Sequence, residues 1–128
     1  MPLSNPSAST SSDQIYRPQD YGSIDPTGSA DSSTAIQAAI TACASSLYGG
    51  TVLIPPGRYK IGTGLDFGQP SYDANHGWGY QFGRQLQGAG KGATTLVAAT
   101  GLTSPVLTVR GTTAGVPSVT IRDIGFNG

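Results

Sequence analysis

Residues 20 to 61 decide the fold, and they contain Asp20-Tyr21-Gly22, Thr34-Ala35-Ile36-Gln37-Ala38-Ala39-Ile40 and Gly49-Gly50-Thr51-Val52-Leu53-Ile54-Pro55-Pro56-Gly57-Arg58-Tyr59. The middle part predicts an amphipathic helix, because apolar side chains recur at three- and four-residue steps, at Ile36, Ile40, Cys43 and Leu47. The glycine pair is the expected end of that helix. A short buried strand then ends at the Pro-Pro-Gly turn. The segment therefore predicts one helix followed directly by a strand.

Further along, the chain reads as short strands separated by turns. A long stretch from Gly62 to Gly83 is predicted to be irregular. Strand-like runs bounded by Gly or Pro are Ile15–Tyr21, Arg58–Ile61, Gln85–Gln87, Thr95–Val97, Val106–Val109, Val119–Ile121 and a last alternation at 121–126. No second helix separates them, which excludes βαβ units. Periodicity alone leaves an antiparallel sandwich or a solenoid open.

The turn and cap signals before the helix are clear. Asp25-Pro26-Thr27-Gly28 predicts a β-turn, with Pro at its second position and Gly at its fourth. Asp31, Ser32 or Ser33 is available to cap the helix that follows.

Bulk composition narrows the classes of function. The 128 residues fit one domain, and seven basic residues balance seven Asp, so no electrostatic affinity for nucleic acid or anionic lipid is expected. The chain has no apolar run long enough for a membrane span. Cys43 is the single cysteine, which excludes an internal disulfide. His76 has no second His or Cys at ligand spacing, so we predict neither a metal site nor a cofactor.

Residues 1–15 are predicted to form a flexible arm. They are rich in Ser, Pro and Ala and lack the apolar core of a secretory signal. Such a polar, turn-forming composition does not bury enough apolar surface to order itself. An attachment segment that a partner orders is therefore expected here.

Motifs in two regions carry a resemblance to a known family. They are Asp20-Tyr21-Gly22, Asp31, Thr34–Ile40, Gly49–Val52, Pro55-Pro56-Gly57 and Tyr59, then Leu86-Gln87-Gly88-Ala89-Gly90, Thr94-Thr95-Leu96 and Ser118–Phe126. Over about residues 16–128 the chain resembles the start of the pectate lyase superfamily, which includes polysaccharide lyases and phage tail spikes. The turn at Asp25 departs from the family's usual acidic-Gly turn.

The resemblance implies an all-β fold, a right-handed single-stranded parallel β-helix with an N-terminal capping α-helix. Residues 16–128 would form the cap and first coils of a solenoid that is incomplete. A parallel solenoid exposes its apolar core at the first coil, so we expect Ile36, Ile40, Cys43 and Leu47 to cover that end.

Candidate catalytic groups are the charged residues of the predicted coils. Polysaccharide-cleaving solenoids use carboxylates with Arg or Lys, or a pair of carboxylates. The candidates are Asp66, Asp73 and Asp123, with Arg84, Arg110 and Arg122. No two share an interpretable spacing, so we interpret them as solvated surface or turn residues. The resemblance places any catalytic residues beyond residue 128.

The loop from Asp66 to Gly83 is the candidate carbohydrate contact. It combines aromatic and hydrogen-bonding side chains at Tyr72, His76, Trp78 and Tyr80, and aromatic faces suit sugar rings. The favoured alternative is that these aromatics pin the loop onto the coil or lie at a subunit interface. The Gly88–Gly92 run lacks the Walker pattern and predicts a turn between coils.

The resemblance predicts a phage tail spike or tail fibre subunit that binds, or binds and degrades, host-surface polysaccharide. A Met1 start, no secretory signal and no disulfides favour this interpretation. The expected partners are two further copies in a homotrimer and other tail proteins held through the arm, and the expected location is the virion. Two alternatives stay open: an extracellular microbial polysaccharide lyase or glycoside hydrolase, and a structural or adhesive virion protein without activity.

Overall fold

The structure, a computed structural model, describes residues 14–45, 50–68, 84–110 and 119–128. Its single described α-helix is α1 (Ser33–Ala44), and a 3₁₀ turn covers Pro18–Asp20. The strands are β1 (Ile15–Tyr16), β2 (Gly50–Leu53), β3 (Gly57–Ile61), β4 (Leu65–Gly68), β5 (Arg84–Gln87), β6 (Thr94–Ala98), β7 (Leu107–Arg110), β8 (Val119–Arg122) and β9 (Gly125–Asn127).

These strands form three parallel sheets. Sheet A has the order β1-β2-β5-β8, sheet B the order β3-β6-β9, and sheet C pairs β4 with β7. The chain visits the sheets in turn, so β2, β3 and β4 form a first coil, β5, β6 and β7 a second, and β8 and β9 belong to a third. This arrangement is consistent with a β-helix and rules out the antiparallel sandwich that periodicity alone left open.

Neighbouring strands pair in register, so equivalent positions of successive coils lie one above the other. We call the inward-pointing rows of side chains that result the interior ladders. Val52 pairs with Leu86 and Leu86 with Ile121, while Tyr59 pairs with Leu96 and Leu96 with Phe126. In sheet C, Phe67 pairs with Val109. Because alternate residues of a strand point to opposite faces, each ladder keeps one face of its sheet apolar. The three apolar faces meet in one core.

Helix α1 contributes its apolar stripe to that core. Ile36, Ile40 and Cys43 are fully buried, as the periodicity predicts, and α1 packs against β1 to β5. Leu47 lies outside the described residues. The helix ends at Ala44, before the glycine pair, and residues 46–49 are not described.

The start of α1 differs in detail from the predicted side-chain cap. Ser32 occupies the N-cap position but its side chain makes no capping bond. Its hydroxyl instead accepts a hydrogen bond from the Asp25 N–H at 2.9 Å. Asp31 Oδ1 accepts from the Ser33 N–H at 2.9 Å, so the residue before the N-cap satisfies the first helical N–H.

Two predicted segments are corrected. The stretch from Gly62 to Gly83 is not wholly irregular, because β4 lies within it. Leu65 and Phe67 are buried and alternate with Asp66, and pairing with β7 supplies the backbone partners. The predicted run Ile15–Tyr21 is extended only at β1, because Pro18 starts a 3₁₀ turn.

Candidate functional site

The outer face of sheet A carries two rows of side chains in register, and most of them are uncharged hydrogen-bonding groups. One outward row contains Thr51, Gln85 and Thr120, and the next contains Leu53, Gln87 and Arg122. Gln85 Nε2 donates to Thr51 Oγ1 at 3.2 Å, which links the first two coils. Hydroxyl and amide groups spaced one strand apart are suited to a ligand that runs along the solenoid.

A groove of about 250 Å³ lies beside these rows. It crosses the ends of β1, β2 and β5, and its lining residues are Arg17, Gln19, Leu53, Ile54, Pro55, Pro56 and Ala89. The chain segments after three neighbouring strands of sheet A thus form one concavity. Its floor is largely apolar, and the exposed Arg17 and Gln19 supply the polar side chains at one rim.

Part-buried hydrogen bonds fix two of the three walls of this groove. The Thr94 hydroxyl, which is fully buried, accepts from the Ala89 N–H at 2.9 Å and lies 3.2 Å from the Pro55 carbonyl oxygen, to which it donates. The Tyr59 hydroxyl donates to the Pro56 carbonyl oxygen at 3.0 Å. Since Pro55 and Ala89 belong to successive coils, Thr94 holds the walls at a set separation. The groove is therefore preformed.

The Arg17 rim is held by the turn that Pro18 begins. The Asp20 N–H donates to the Arg17 carbonyl oxygen and the Tyr21 N–H to the Pro18 carbonyl oxygen, both at 2.9 Å. Proline at the first position of this turn supplies the backbone angle that the turn needs. The Arg17 backbone is therefore anchored while its side chain stays exposed.

A second, larger groove of about 340 Å³ lies between α1 and the turn at residues 62–64. Its lining residues are Ser33, Thr34, Gln37, Ala38, Thr41, Thr63 and Gly64. Gln37 is committed to the fold: its Nε2 donates to the Asp66 carbonyl oxygen at 3.0 Å, and its Oε1 accepts from the Asp66 N–H at 2.8 Å. The side-chain amide thus makes with β4 the pair of hydrogen bonds that the backbone of a neighbouring strand would make.

The predicted catalytic candidates do not converge on either groove. Arg122 and Asp123 form an exposed ion pair with 3.1 Å between Nε and Oδ2. Asp66 lies on β4 in sheet C, with its backbone bonded to Gln37. Asp73 and the side chain of Arg110 lie outside the described residues. Among the described candidates, the structure brings only Arg122 and Asp123 together.

Arg84 corrects the prediction that these charges are solvated. Its side chain is fully buried, because it occupies an inward position two residues before Leu86 on β5. Burial lowers the pKa of its guanidinium and raises the pKa of the Cys43 thiol to about 11, although the nearby Arg84 charge opposes the second shift. The alternation with Leu86 was the signal in the sequence that could have located it.

The carboxylates before the helix serve the local backbone. Asp25 accepts from the Thr27 N–H at 2.9 Å, the Thr27 hydroxyl at 2.6 Å and the Ala30 N–H at 2.7 Å. These hydrogen bonds, led by the Thr27 hydroxyl, lower the pKa of Asp25 to about 2. The Gly28 N–H donates to the Asp25 carbonyl oxygen at 3.2 Å, which confirms the predicted β-turn. Asp31 likewise accepts from Ser33 and from the Gly62 N–H.

Several predicted groups remain untested by these contacts. Tyr72, His76, Trp78 and Tyr80 lie outside the described residues, so their carbohydrate contact stays a prediction. Among the residues the structure describes, no group of three His, Cys, Asp or Glu side chains is placed to hold a metal ion. Over the same residues, no helix has the length and apolar character to cross a membrane.

The groove at Arg17 and Gln19 was not among the predicted sites. Its walls come from the 3₁₀ turn after β1, the Pro55-Pro56 turn and the turn after β5, which lie on three neighbouring levels of the stack. The Pro-Pro pair marked a turn in the sequence, but only the coil register shows that Arg17 and Ala89 are its neighbours.

Comparison with solved structures gives two matches over most of the chain. ORF18 of Geobacillus virus E2 has a TM-score of 0.63 at 21% sequence identity, over 89% of this chain and 21% of that one. The A-module of mannuronan C-5 epimerase AlgE6 from Azotobacter vinelandii has a TM-score of 0.62 at 28% identity, over 88% of this chain and 28% of that one. The chain therefore spans between a fifth and a third of the length of these structures.

The sequence itself identifies the family. A search of curated proteins finds no match. Residues 19–124 match the model of the family described as rhamnogalacturonase A/epimerase, pectate lyase-like. The match covers most of the chain and includes both groups of motifs on which the resemblance rested, except for the last two residues of the second group. The chain belongs to the pectate lyase-like rhamnogalacturonase A/epimerase family.

Proposed function

We propose that this chain is the attachment-proximal part of a phage tail spike or tail fibre subunit that binds host-surface polysaccharide. The observation that carries the proposal is the preformed groove at Arg17, Gln19 and Pro55, next to the amide and hydroxyl rows of sheet A. The similarity to a virus protein supports the location in a virion, and the similarity to a mannuronan epimerase supports a polysaccharide ligand.

The groove has the chemistry that a sugar residue requires. Ligand sites combine an apolar surface with a few placed polar groups. Here Leu53, Pro55 and Pro56 offer apolar surface for the C–H face of a pyranose ring, and the Gln19 amide can donate to and accept from hydroxyl groups. The Arg17 guanidinium adds a fork of donors suited to a carboxylate or to paired hydroxyls. Further sugar units would extend over Gln85 and Gln87.

Binding is proposed before cleavage for this part of the molecule. Most glycoside hydrolases use two carboxyl groups on either side of the glycosidic bond, and among the residues that the structure describes none of those lining the groove is a carboxylate. A polysaccharide lyase or glycoside hydrolase remains the second candidate, because the matched family is named for a rhamnogalacturonase and an epimerase. A virion adhesin without activity shares the same binding step.

The architecture proposed with this function follows the resemblance. The coils wind in the right-handed sense, and α1 caps the first coil with Ile36, Ile40 and Cys43, while Leu47, outside the described residues, is proposed to continue the same apolar cover. Burial of the first three in the core and the Gln37 bonds to β4 support the cap. Residues 1–15 form the arm that attaches to other tail proteins, and residues 16–128 form the coils.

Binding of defined oligosaccharides tests the proposal. Mannuronate and rhamnogalacturonan oligomers serve as probes, with affinity measured by isothermal titration calorimetry. We expect Arg17→Ala to weaken binding about tenfold, the loss of one charge-assisted contact. The matched control is Arg58→Ala, since Arg58 is also exposed but lies on sheet B. Equal affinities for the wild type and the Arg17 variant, or an equal loss in both variants, would contradict the proposed site.

A product assay separates the adhesin from the enzyme. The chain is incubated with the same oligomers, and unsaturated sugars and new reducing ends are followed over time. Unchanged oligomers that still bind at Arg17 fit an adhesin. Turnover that persists in Arg17→Ala would contradict the proposed binding function. It would instead indicate a polysaccharide lyase or glycoside hydrolase.

A further inference from the structure

Arg17, at the rim of the groove, lies in the same outward row of sheet A as a second arginine. The pairing of β1 with β2 places Arg17, the residue after β1, beside Leu53. Leu53 pairs with Gln87, and Gln87 pairs with Arg122. The Arg17 backbone is still extended, with φ −107° and ψ 125°, so the alternation of the strand continues through it. The row therefore contains Arg17, Leu53, Gln87 and Arg122, on four successive levels.

Both arginine side chains of this row are accessible at the surface. Tyr16 is buried, so the same alternation turns Arg17 outward, and its side chain is exposed. The Arg122 side chain is 55% exposed. Neighbouring parallel strands lie about 4.8 Å apart, so three strand spacings separate the two arginine backbone positions by about 14 Å. The row thus carries two positive charges on positions that the sheet fixes, with the half-buried Leu53 and Gln87 between them.

We propose that Arg122 is a second binding residue for the glycan held at Arg17, and that the two arginines bind acidic groups spaced along one linear glycan. This inference rests on the proposed function, and it adds a second contact, the direction of the ligand and its charge. A guanidinium presents a planar fork of donors that matches a carboxylate. A ligand that binds both arginines needs two acidic groups about 14 Å apart. A shorter ligand reaches only one of them.

The residues beside and between the arginines are compatible with this role. Asp123 contacts Arg122 through Nε at 3.1 Å, and the Asp123 side chain is 45% exposed. An exposed ion pair of this kind contributes little free energy, so the contact with Asp123 does not commit Arg122. The Gln87 amide can donate to and accept from sugar hydroxyl groups, and Leu53 adds apolar surface. Of the four residues in the row, none is acidic.

Two linked contacts predict how the affinity depends on the length of the ligand. Once Arg17 holds one acidic group, binding of a second group on the same ligand is intramolecular and gains from a high effective concentration. The affinity should therefore rise in a step at the length that first reaches Arg122. A single contact at Arg17 would give no such step.

Isothermal titration calorimetry with mannuronate oligomers of increasing length tests the proposal. For oligomers long enough to reach both arginines, we expect Arg122→Gln to weaken binding about tenfold, the loss of one charge-assisted contact. Shorter oligomers should bind this variant as they bind the wild type, whereas Arg17→Ala should weaken binding at every length. The matched control is Arg58→Gln, since Arg58 is exposed but lies on sheet B. Oligomers whose carboxyl groups are reduced to alcohols keep the length but lack the charge, so Arg122→Gln should not change their binding.

The outcomes separate this proposal from the function on which it rests. Equal affinities of the wild type and Arg122→Gln at every length, with a loss in Arg17→Ala, would overturn the second contact but leave the groove. An unchanged affinity in Arg17→Ala, or no binding of any oligomer, would overturn both.

A measurement on the wild type alone does not depend on the folding of a variant, which circular dichroism checks. Added salt should weaken the binding of long oligomers more than that of short ones, because it screens two charged contacts rather than one. An equal salt dependence at all lengths would also overturn the proposal.

Discussion

The first and the last described coils are built from the same side-chain ladders, but their side chains differ in burial. Val52, Tyr59 and Phe67 are at most 1% exposed, whereas on the same ladders Ile121 is 39%, Phe126 49% and Val109 38% exposed. The difference shows that the alternation of apolar and polar residues along a strand does not by itself determine how deeply its side chains are buried. A side chain on an interior ladder contributes its full stabilisation only when another coil or a helix packs on each side of it.

The sharpest test of this comparison replaces isoleucine by alanine at each end. Ile40→Ala removes methyl groups from a fully buried site, so we expect a loss of about 3 kcal/mol in the free energy of unfolding. Ile121→Ala removes the same groups from a side chain that is 39% exposed, so a loss of about 1 kcal/mol is expected. Urea denaturation at low protein concentration, where any self-association is minimal, measures both. Equal losses would mean that the last coil is as well covered as the first.

The next effect concerns a tight contact at the first-coil end. At Gly57, φ is +147°, and an added Cβ would lie 2.5 Å from the Pro26 Cβ. We therefore expect Gly57→Ala to cost about 2 kcal/mol, because both the backbone and the Asp25 turn must shift. Gly92 is the control, since nothing lies within 4 Å of its added Cβ. Thermal denaturation should show a lower melting temperature for Gly57→Ala alone, and a similar fall in both variants would contradict the steric cause.

A smaller effect is expected for the amide that bonds α1 to β4. Gln37→Leu keeps the side-chain size but removes both hydrogen bonds to Asp66, so the part-buried N–H and C=O of β4 lose this partner. We expect a cost of about 1.5 kcal/mol. Thr34→Ala, an exposed substitution on the same helix, should change stability by less than about 0.5 kcal/mol. Hydrogen exchange at the Asp66 amide gives a local measurement, and unchanged protection in the Gln37 variant would refute the bond.

The smallest effect is the pH dependence that Asp25 contributes at the first-coil end. Its pKa falls from 3.8 to about 2 in the folded chain, so its stabilising contribution is complete above the unfolded value. It is lost as the pH falls through the folded value. Denaturation midpoints measured between about pH 5 and pH 2 should fall less steeply in Asp25→Asn than in the wild type. Parallel curves for the two proteins would show that the turn does not depend on this carboxylate.

The sequence predicts the strands well, because glycine and proline mark their ends. The predicted runs at 85–87, 95–97 and 119–121 each lie inside an observed strand. β4 was missed because Gly62 and Gly64 precede it and Gly68 ends it, and so many glycines are also typical of a loop. The pairing of β4 with β7 decides between the two, and pairing between coils is not visible in local sequence.

Side-chain environment was harder to predict than secondary structure. Arg84 was assigned to the surface from its charge, whereas its strand position places it in the core beside Cys43. The bonds of the Gln37 side chain could not be predicted either, because their partner is backbone rather than a complementary side chain. The groove at Arg17 could not be predicted, since it exists only where three levels of the stack meet.

The bonds from Gln37 to Asp66 have a consequence for synthesis of the chain. A ribosome releases α1 before any complete coil, and the Gln37 amide then presents one acceptor and one donor to the next residues that can pair with it. This contact aligns β4, which in turn aligns β7. We expect coils that are synthesised in this order to fold one after another, each on the coil that left the ribosome before it. The helix that emerges first would thus act as the template for the order of every later coil.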